Sequence, residues 1–158
     1  MTARRRGLRR WLASTSNRTF IVYPLAVAAF EWVRGGGLPV VAPWALPLLA
    51  WGYLQYRLVG NYRATHGGGG PGTAVPPERL VTDGPYAVVR NPMYLGHLIF
   101  LAGLALLFRS WAAALLLLYH LHWFDARAKE DEARLHGLFG ATYAAYAARV
   151  KRWLPGLP

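Results

Sequence analysis

The sequence has no cysteine and very few acidic residues. Without thiols the chain has no disulfide bond, no thiolate metal site and no cysteine nucleophile. The chain has seven Asp and Glu residues and 18 Lys and Arg residues, so its net charge is +11. All charged residues together make up 16% of the chain, which is below the roughly 25% of an average soluble domain. A shortage of charge combined with a positive excess favours a protein that meets anionic lipid headgroups.

Apolar residues make up 54% of the chain and fall into four segments, at residues 19–33, 38–59, 93–108 and 111–124. Only Arg109 and Ser110 separate the last two segments, which indicates a tight helical hairpin. A membrane-spanning helix needs about 20 residues, so three of the segments are short spans. We predict an all-α integral membrane bundle of about four transmembrane helices with a cytoplasmic C-terminal amphipathic helix.

The basic residues are distributed unevenly between the connections of this predicted bundle. Six of the 18 lie between Arg4 and Arg18, four between Arg57 and Arg90, and six after the fourth apolar segment, whereas Arg34 and Arg109 lie in the two short connections. The positive-inside rule then puts both termini and the middle loop in the cytoplasm, and we expect the cell inner membrane. Binding to nucleic acid is disfavoured because the basic residues flank apolar runs instead of forming one solvated face.

We expect one domain over residues 1–158, and no internal repeat is visible. Its predicted parts are a basic flank (1–18), two spans (19–60), a cytoplasmic loop (61–92), a helical hairpin (93–124) and a cytoplasmic C-terminal segment (125–158). The loop contains a flexible GGGG spacer without phosphate-loop spacing. The C-terminal segment has apolar residues at helical spacing, which predicts one amphipathic helix or two helices broken near Gly137 and Gly140.

The stretch DGPYAVVRNPMYLG, residues 83–96, has the composition of a turn that leads into a helix. Gly84 and Pro85 favour a turn, and Pro92 suits the first turn of the third apolar segment. Free N–H groups at such a helix start favour an anionic ligand. The stretch could equally be a helix cap and membrane anchor, with tyrosines in the aromatic belt.

A second polar cluster follows the fourth apolar segment and contains Arg127, Glu130, Asp131 and Glu132. These residues could form ordinary ion pairs along a solvated helix, or they could hold a polar ligand beside the membrane. Of the histidines, His97 is a functional candidate because it falls within an apolar segment. His120 and His122 are two residues apart and point to different faces, so no metal site is expected.

Together the two clusters resemble the isoprenylcysteine carboxyl methyltransferases and their bacterial relatives, with phospholipid methyltransferases as more distant kin. The resemblance extends from about Arg79 to Pro155 and includes RLVTDGPYAVVRNPMYLG, the hairpin and RAKEDEARLHGLFGATYAAYAARVKRWLP. It implies a membrane transferase that uses S-adenosyl-L-methionine to methylate a lipophilic small molecule or lipid. It also implies that the C-terminal segment wraps over the cofactor pocket.

The resemblance also implies roles for particular residues. Arg127 corresponds to the catalytic arginine beside the methyl acceptor. The residues implied to bind the cofactor are Leu80, Val81, Tyr86, Arg90, Asn91, Pro92, Met93, Tyr94, Asp131 and Glu132. Two of these depart from the family pattern, because Asn91 replaces a histidine and Asp131 replaces a glutamate. Asparagine does not titrate near neutral pH, which argues against proton transfer at that position.

Methyl transfer from a sulfonium to a carboxylate needs no strong base, since the carboxylate is already ionised at neutral pH. Arg127 could orient such an acceptor with two hydrogen bonds. We therefore expect methylation of a carboxylate or similar group. One alternative is a phospholipid amine N-methyltransferase, and an alternative of another class is a non-catalytic membrane protein that binds anionic lipid.

Overall fold

The protein was analysed as a computed structural model, which describes residues 3–69 and 75–155. Part of the predicted glycine-rich spacer therefore lies outside the described residues. The helices are α1 (Ala3–Ala13), α2 (Thr15–Asn17), α3 (Tyr23–Gly35), α4 (Leu46–Gly67), α5 (Pro85–Val88), α6 (Pro92–Phe108) and α7 (Trp111–Arg149). A π-helical turn (Arg18–Val22) precedes α3, and a 3₁₀ turn (Pro43–Ala45) precedes α4.

All regular structure over residues 3–69 and 75–155 is helical, so the predicted all-α class is confirmed. Each of the four apolar segments coincides with helix over most of its length. Within those same described ranges, no helix is both long enough and apolar enough to cross a membrane. The predicted bundle is thus confirmed as helical.

The chain divides into two compact units. The first unit comprises residues 1–53 and 97–118. Its core is formed by Val27 of α3, Leu101 and Leu104 of α6, and Ala113 of α7, with Leu49 of α4 packed against them. Leu101 and Leu104 are fully buried, as expected for adjacent turns of one helix face that meets its neighbours.

The second unit comprises residues 54–96 and 119–158. Phe124 and Ala128 of α7 are completely buried, and the Phe124 ring lies 5.1 Å from the ring of Tyr94. The side-chain amide of Gln55 donates a hydrogen bond of 2.9 Å to the carbonyl of Pro92, where α6 begins. These contacts tie α4, α6 and α7 together within this unit.

The predicted hairpin is confirmed at Arg109 and Ser110. Arg109 has φ of +48°, a left-handed conformation that is uncommon for a residue with a side chain. Its N–H donates to Leu106 and the N–H of Ser110 donates to Ala105, which closes the end of α6. The Ser110 hydroxyl then accepts from the N–H of Ala113 and caps the start of α7.

α7 continues from the fourth apolar segment into the polar stretch without a break until Gly140. Gly140 has φ of +50° and ψ of −124°, so the helix is interrupted there. Of the two C-terminal arrangements predicted from the sequence, the broken one is therefore correct, and Gly140 rather than Gly137 is the break. Glycine is suited to this conformation because it has no side chain to clash with the backbone.

The first unit depends on a close helix contact at Gly103. A Cβ atom at this position would lie 2.7 Å from Leu49 Cδ1 and 3.0 Å from the Leu49 backbone nitrogen. We predict that Gly103→Ala lowers the free energy of unfolding by about 1–3 kcal/mol, since the backbone of α4 must shift. Gly137→Ala is the matched control, because a Cβ atom there would meet nothing within 4 Å. That control should stabilise the helix slightly; equal melting temperatures for the two variants would contradict the proposed contact.

Candidate functional site

The turn that precedes α6 is shaped by Gly84, which has φ of +54°. A Cβ atom at this position would lie 2.6 Å from the Tyr62 ring, so the turn requires glycine for both conformation and space. The N–H of Tyr86 then donates to the carbonyl of Asp83 and starts the short helix α5. This local geometry brings Tyr86, Arg90 and Asn91 to one side of the second unit.

Arg90 joins this turn to the C-terminal part of the same unit. Its Nη1 donates hydrogen bonds to the backbone carbonyls of Ala147 at 2.8 Å and Val150 at 2.9 Å. Its backbone N–H donates to the carbonyl of Lys151 at 2.8 Å. Cations are favoured at a helix C-terminus, where carbonyl groups lack partners in the helix. Arg90 thus satisfies the end of α7 and holds the residues that follow it.

Glu132 is the shared acceptor of three donors in the second unit. Arg90 Nη2 lies 3.0 Å from Oε2, Arg152 contacts both oxygens at 2.9 Å, and the Asn91 amide donates to Oε1 at 3.0 Å. Burial alone would raise the pKa of this carboxyl group. The hydrogen bonds from Arg152 and Arg90 outweigh burial, and the pKa of Glu132 lies below its ordinary value.

Asp131 is held separately from its neighbour. The Tyr94 hydroxyl donates a short hydrogen bond to Asp131 Oδ2, and Arg134 Nη2 donates to Oδ1 at 2.8 Å. Tyr94 is buried and its ring packs near Phe124, so the Asp131 carboxylate is fixed on the side of α7 that faces α6.

A cavity lies beside these two carboxylates, within the second unit. Its volume is about 440 Å³ when the part open to solvent is counted. The residues that line it are Arg63, Pro77, Leu80, Val81, Tyr86, Arg90, Asn91, Asp131, Glu132, Leu135, Tyr143 and Tyr146. We call it the tyrosine-lined cavity. It combines apolar walls with a few charged groups, which is the composition expected of a small-molecule site.

The three tyrosines of the cavity differ in their hydrogen bonding. The Tyr146 hydroxyl donates to the carbonyl of Tyr86 at 2.7 Å. The Tyr143 hydroxyl is buried and has no hydrogen-bond partner among the described residues. Because a buried hydroxyl without a partner costs free energy, a ligand that bonds to Tyr143 would recover that cost.

All three phenols are poor proton acceptors. Burial raises the pKa of Tyr86 and of Tyr146 above the ordinary value, and it raises the pKa of Tyr143 to about 12. At neutral pH these side chains are therefore neutral, with hydroxyl groups that donate hydrogen bonds. Such groups can orient a ligand but supply no base.

Seven of the ten residues predicted to bind a cofactor line this cavity: Leu80, Val81, Tyr86, Arg90, Asn91, Asp131 and Glu132. Tyr94 reaches the cavity indirectly, through its bond to Asp131. Pro92 and Met93 are absent from the cavity wall formed by described residues, and Met93 is buried. Cofactor binding by these residues stays a prediction.

The predicted catalytic residue Arg127 also lies outside the wall of the tyrosine-lined cavity as formed by the described residues. Its Nη1 donates to Glu130 at 3.0 Å, and its guanidinium lies 5.9 Å from the centre of the Trp123 ring. The side chain is 42% exposed, so it is free to change rotamer. Its assignment as a catalytic residue stays a prediction.

Five residues of the cavity wall were not among the predicted site residues: Arg63, Pro77, Leu135, Tyr143 and Tyr146. Tyr143 and Tyr146 belong to the apolar positions of the predicted C-terminal helix and to the stretch FGATYAAY within the family resemblance, but neither pattern assigned them to the site. Periodicity shows that a residue is buried, but it does not show which cavity the residue faces. No sequence pattern indicated Arg63 as a site residue. Its side chain is buried and donates a hydrogen bond of 3.2 Å to the carbonyl of Val75.

Glu132 should make the second unit sensitive to acid. A carboxyl group whose pKa is lowered on folding stabilises the protein above its unfolded pKa, and this stability is lost as the pH falls through the folded pKa. We predict that Glu132→Gln lowers the free energy of unfolding at pH 7 by about 3 kcal/mol, since Arg90 and Arg152 lose their charged partner. The melting temperature of this variant should also fall less than that of the wild type between pH 6 and pH 3.

Glu130→Gln provides the control, because Glu130 is 65% exposed and its ion pair within the described ranges is with Arg127. Such exposed pairs contribute less than about 1 kcal/mol. Equal losses in the two variants at pH 7 would show that Glu132 is not a central contact.

Comparison with known proteins shows which protein families the sequence around this site resembles. Residues 70–142 match the family model described as phospholipid methyltransferase. Over 80 residues, half of the chain, the sequence is 38% identical to the protein-S-isoprenylcysteine O-methyltransferase of Schizosaccharomyces pombe. The aligned part covers 34% of that relative, about a third of its length. No solved structure matches the chain. The predicted resemblance is confirmed over this segment, whose sequence is similar to isoprenylcysteine and phospholipid methyltransferases.

Proposed function

We propose that the protein is an S-adenosyl-L-methionine-dependent methyltransferase that methylates a carboxylate or similar group on a lipophilic acceptor. The observation that carries this proposal is the tyrosine-lined cavity. Its wall combines residues 80–91 with residues 131–146, the two stretches in which the family resemblance was recognised. The name of the fission yeast relative supports the same type of reaction.

The chemistry of the cavity fits a cationic cofactor of this kind. S-adenosyl-L-methionine supplies a methyl group carried by a positively charged sulfonium. Tyr86, Tyr143 and Tyr146 offer aromatic rings, whose faces attract cations. Asp131 offers a carboxylate that could accept from an ammonium or hydroxyl group, and the Tyr143 hydroxyl offers a hydrogen-bonding group without an internal partner. Glu132 is already engaged by three donors, so its proposed role is to position Arg90, Asn91 and Arg152.

The acid–base properties of the cavity favour an acceptor that is ionised before it binds. The three phenols have raised pKa values and do not accept protons at neutral pH. Glu132 has a lowered pKa, which makes it a weak base. An amine acceptor must lose a proton during methylation, whereas a carboxylate needs only alignment and exclusion of water.

A second candidate function is N-methylation of a phospholipid amine. The description of the family model that matches residues 70–142 favours it. In that case Asp131 would be the candidate proton acceptor, since its bonds to Tyr94 and Arg134 fix it beside the cavity.

We further propose that the protein works in the membrane, with the tyrosine-lined cavity on the cytoplasmic side. The uneven distribution of Lys and Arg supports this orientation. Within the first unit, large apolar side chains are exposed on α3 and on the connection to α4; Val33, Leu38 and Val40 are each more than 80% exposed. Several large apolar side chains that are this exposed within a short stretch suit a surface that contacts lipid or a partner.

The decisive experiment measures transfer of labelled methyl groups from S-adenosyl-L-methionine by the purified, detergent-solubilised protein. The acceptors are a panel of prenylated carboxylic acids and a total lipid extract. We expect label in the acids that is released by base, because methyl esters hydrolyse. Label that resists base would instead support N-methylation. Absence of both cofactor binding and methyl transfer would overturn the proposal and support the non-catalytic alternative.

The same assay tests the proposed role of Arg127. We predict that Arg127→Ala lowers kcat/KM for the acid acceptor by about 10- to 100-fold, since a charge-assisted hydrogen bond to the carboxylate is lost. Cofactor affinity should not change. Lys129→Ala is the control, because Lys129 is equally an exposed helix residue in an ion pair, with Asp125 at 2.7 Å. If both variants keep wild-type kcat/KM, Arg127 does not contact the acceptor.

Tyr143 and Tyr146 form a matched pair for a binding test. We predict that Tyr143→Phe weakens binding of S-adenosyl-L-methionine by about tenfold while the melting temperature is maintained, because its hydroxyl bonds to the ligand and to no described residue. Tyr146→Phe should lower the free energy of unfolding by about 1 kcal/mol, because it removes the hydrogen bond to Tyr86. Calorimetric titration and thermal unfolding measure the two effects, and unchanged affinity in Tyr143→Phe would refute the assignment.

A further inference from the structure

The first unit contains a second cavity, at the connection between α3 and α4 and at the turn between α6 and α7. Its wall includes Glu31, Arg34, Leu38, Val40, Phe108 and Arg109, and its volume is about 700 Å³ with the part open to solvent. It shares no lining residue with the tyrosine-lined cavity. The methylation chemistry proposed above therefore gives it no role.

Glu31 is the buried polar group of this cavity, with 4% of its surface exposed. Its Oε2 accepts from Nε of Arg34 at 2.9 Å and also from Nη2 of the same residue. The Ser110 hydroxyl lies near the carboxylate, but Oε1 has no partner of hydrogen-bond geometry among the described residues. A buried carboxylate oxygen in this state is an acceptor that a ligand hydroxyl can satisfy.

Arg109 supplies a positive charge that no described acid neutralises. It is exposed, lines the cavity, and forms no ion pair with the residues in the described ranges. Its backbone has φ of +48°, a conformation that costs free energy for most residues other than glycine and asparagine. With Arg34 paired to Glu31, the three charged side chains of the wall leave one net positive charge.

The remaining wall is apolar and largely open. Leu38 and Val40 are 89% and 85% exposed, and Phe108 lies beside Arg109 in the chain. A ligand that fits this wall has one anionic group for Arg109, one hydroxyl for Glu31 and an apolar part for the exposed side chains. An amphiphile whose headgroup carries one negative charge has this combination of groups.

We propose that the second cavity binds the headgroup of a lipid whose phosphodiester carries one negative charge and whose alcohol part has free hydroxyl groups, such as a glycerol phosphodiester. Arg109 contacts the phosphate, Glu31 Oε1 accepts a hydrogen bond from the headgroup hydroxyl, and Leu38 and Val40 contact the start of the acyl chains. The single negative charge of the lipid matches the single unneutralised positive charge of the wall.

The test is a calorimetric titration of the full chain, purified in a neutral detergent, with short-chain dihexanoylphosphatidylglycerol. Arg109→Gly is the principal variant, because it removes the guanidinium and also relieves the left-handed backbone, so the fold should be retained. We expect a loss of affinity of about tenfold or more. Arg109→Asn should give the same loss, since asparagine also tolerates this conformation. Arg57→Gln removes one exposed positive charge elsewhere and should leave the affinity unchanged.

Two further ligands test the contact with the headgroup hydroxyl and the contact with the acyl chains separately. Dihexanoylphosphatidylmethanol has the same charge but no hydroxyl group, and it should bind about fivefold or more weakly because Glu31 Oε1 stays without a partner. Glycerophosphoglycerol has the headgroup without acyl chains, and it should bind much more weakly than the lipid.

The following results would overturn the proposal. If both Arg109 variants bind with wild-type affinity, Arg109 does not contact the phosphate. If phosphatidylglycerol and phosphatidylmethanol bind with equal affinity, Glu31 does not contact the headgroup hydroxyl. Tight binding of glycerophosphoglycerol would show that the ligand is a soluble phosphodiester and not a lipid.

Discussion

The second unit depends on the contacts of one carboxylate, Glu132, with Arg90 and Arg152. A buried carboxylate is stable only if its hydrogen bonds and ion pairs compensate for lost hydration. Here the compensating groups come from two other parts of the chain: Arg90 and Asn91 before α6, and Arg152 after α7. The same contacts fix the positions of Arg90, Asn91 and Arg152 beside the cavity. Asp131 is held separately, by Tyr94 and Arg134.

Local patterns in the sequence predicted the helices, whereas the association of the two polar stretches was predicted from the family resemblance. Pro92 and the apolar run after it predict α6, and Arg109–Ser110 predicts the hairpin. The sequence could not predict that Arg127 pairs with Glu130 and is absent from the cavity wall formed by the described residues, because one residue offers several rotamers and the choice depends on neighbouring charges. For the same reason, the sequence could not predict that the Tyr143 hydroxyl has no hydrogen-bond partner among the described residues.

The two units differ in how they use charge. In the second unit, acids and arginines satisfy one another around the tyrosine-lined cavity, and the uncommitted group is a neutral phenol. In the first unit, the pairing of Arg34 with Glu31 leaves a carboxylate oxygen and the Arg109 guanidinium available. Under the two proposals above, the first arrangement would hold a cation by aromatic faces and the second would hold an anion.

The contacts of Arg90 with the end of α7 are all made to backbone carbonyls, at Ala147, Val150 and Lys151. Because every residue type presents the same carbonyl, the side chains at these three positions are not part of the recognition. Related chains can therefore vary in sequence there and still keep the closure of the C-terminal segment, provided that the arginine and its helix end are retained. In such related sequences, the residues at this contact would not change together in pairs. The retained arginine would be the only sign of the contact.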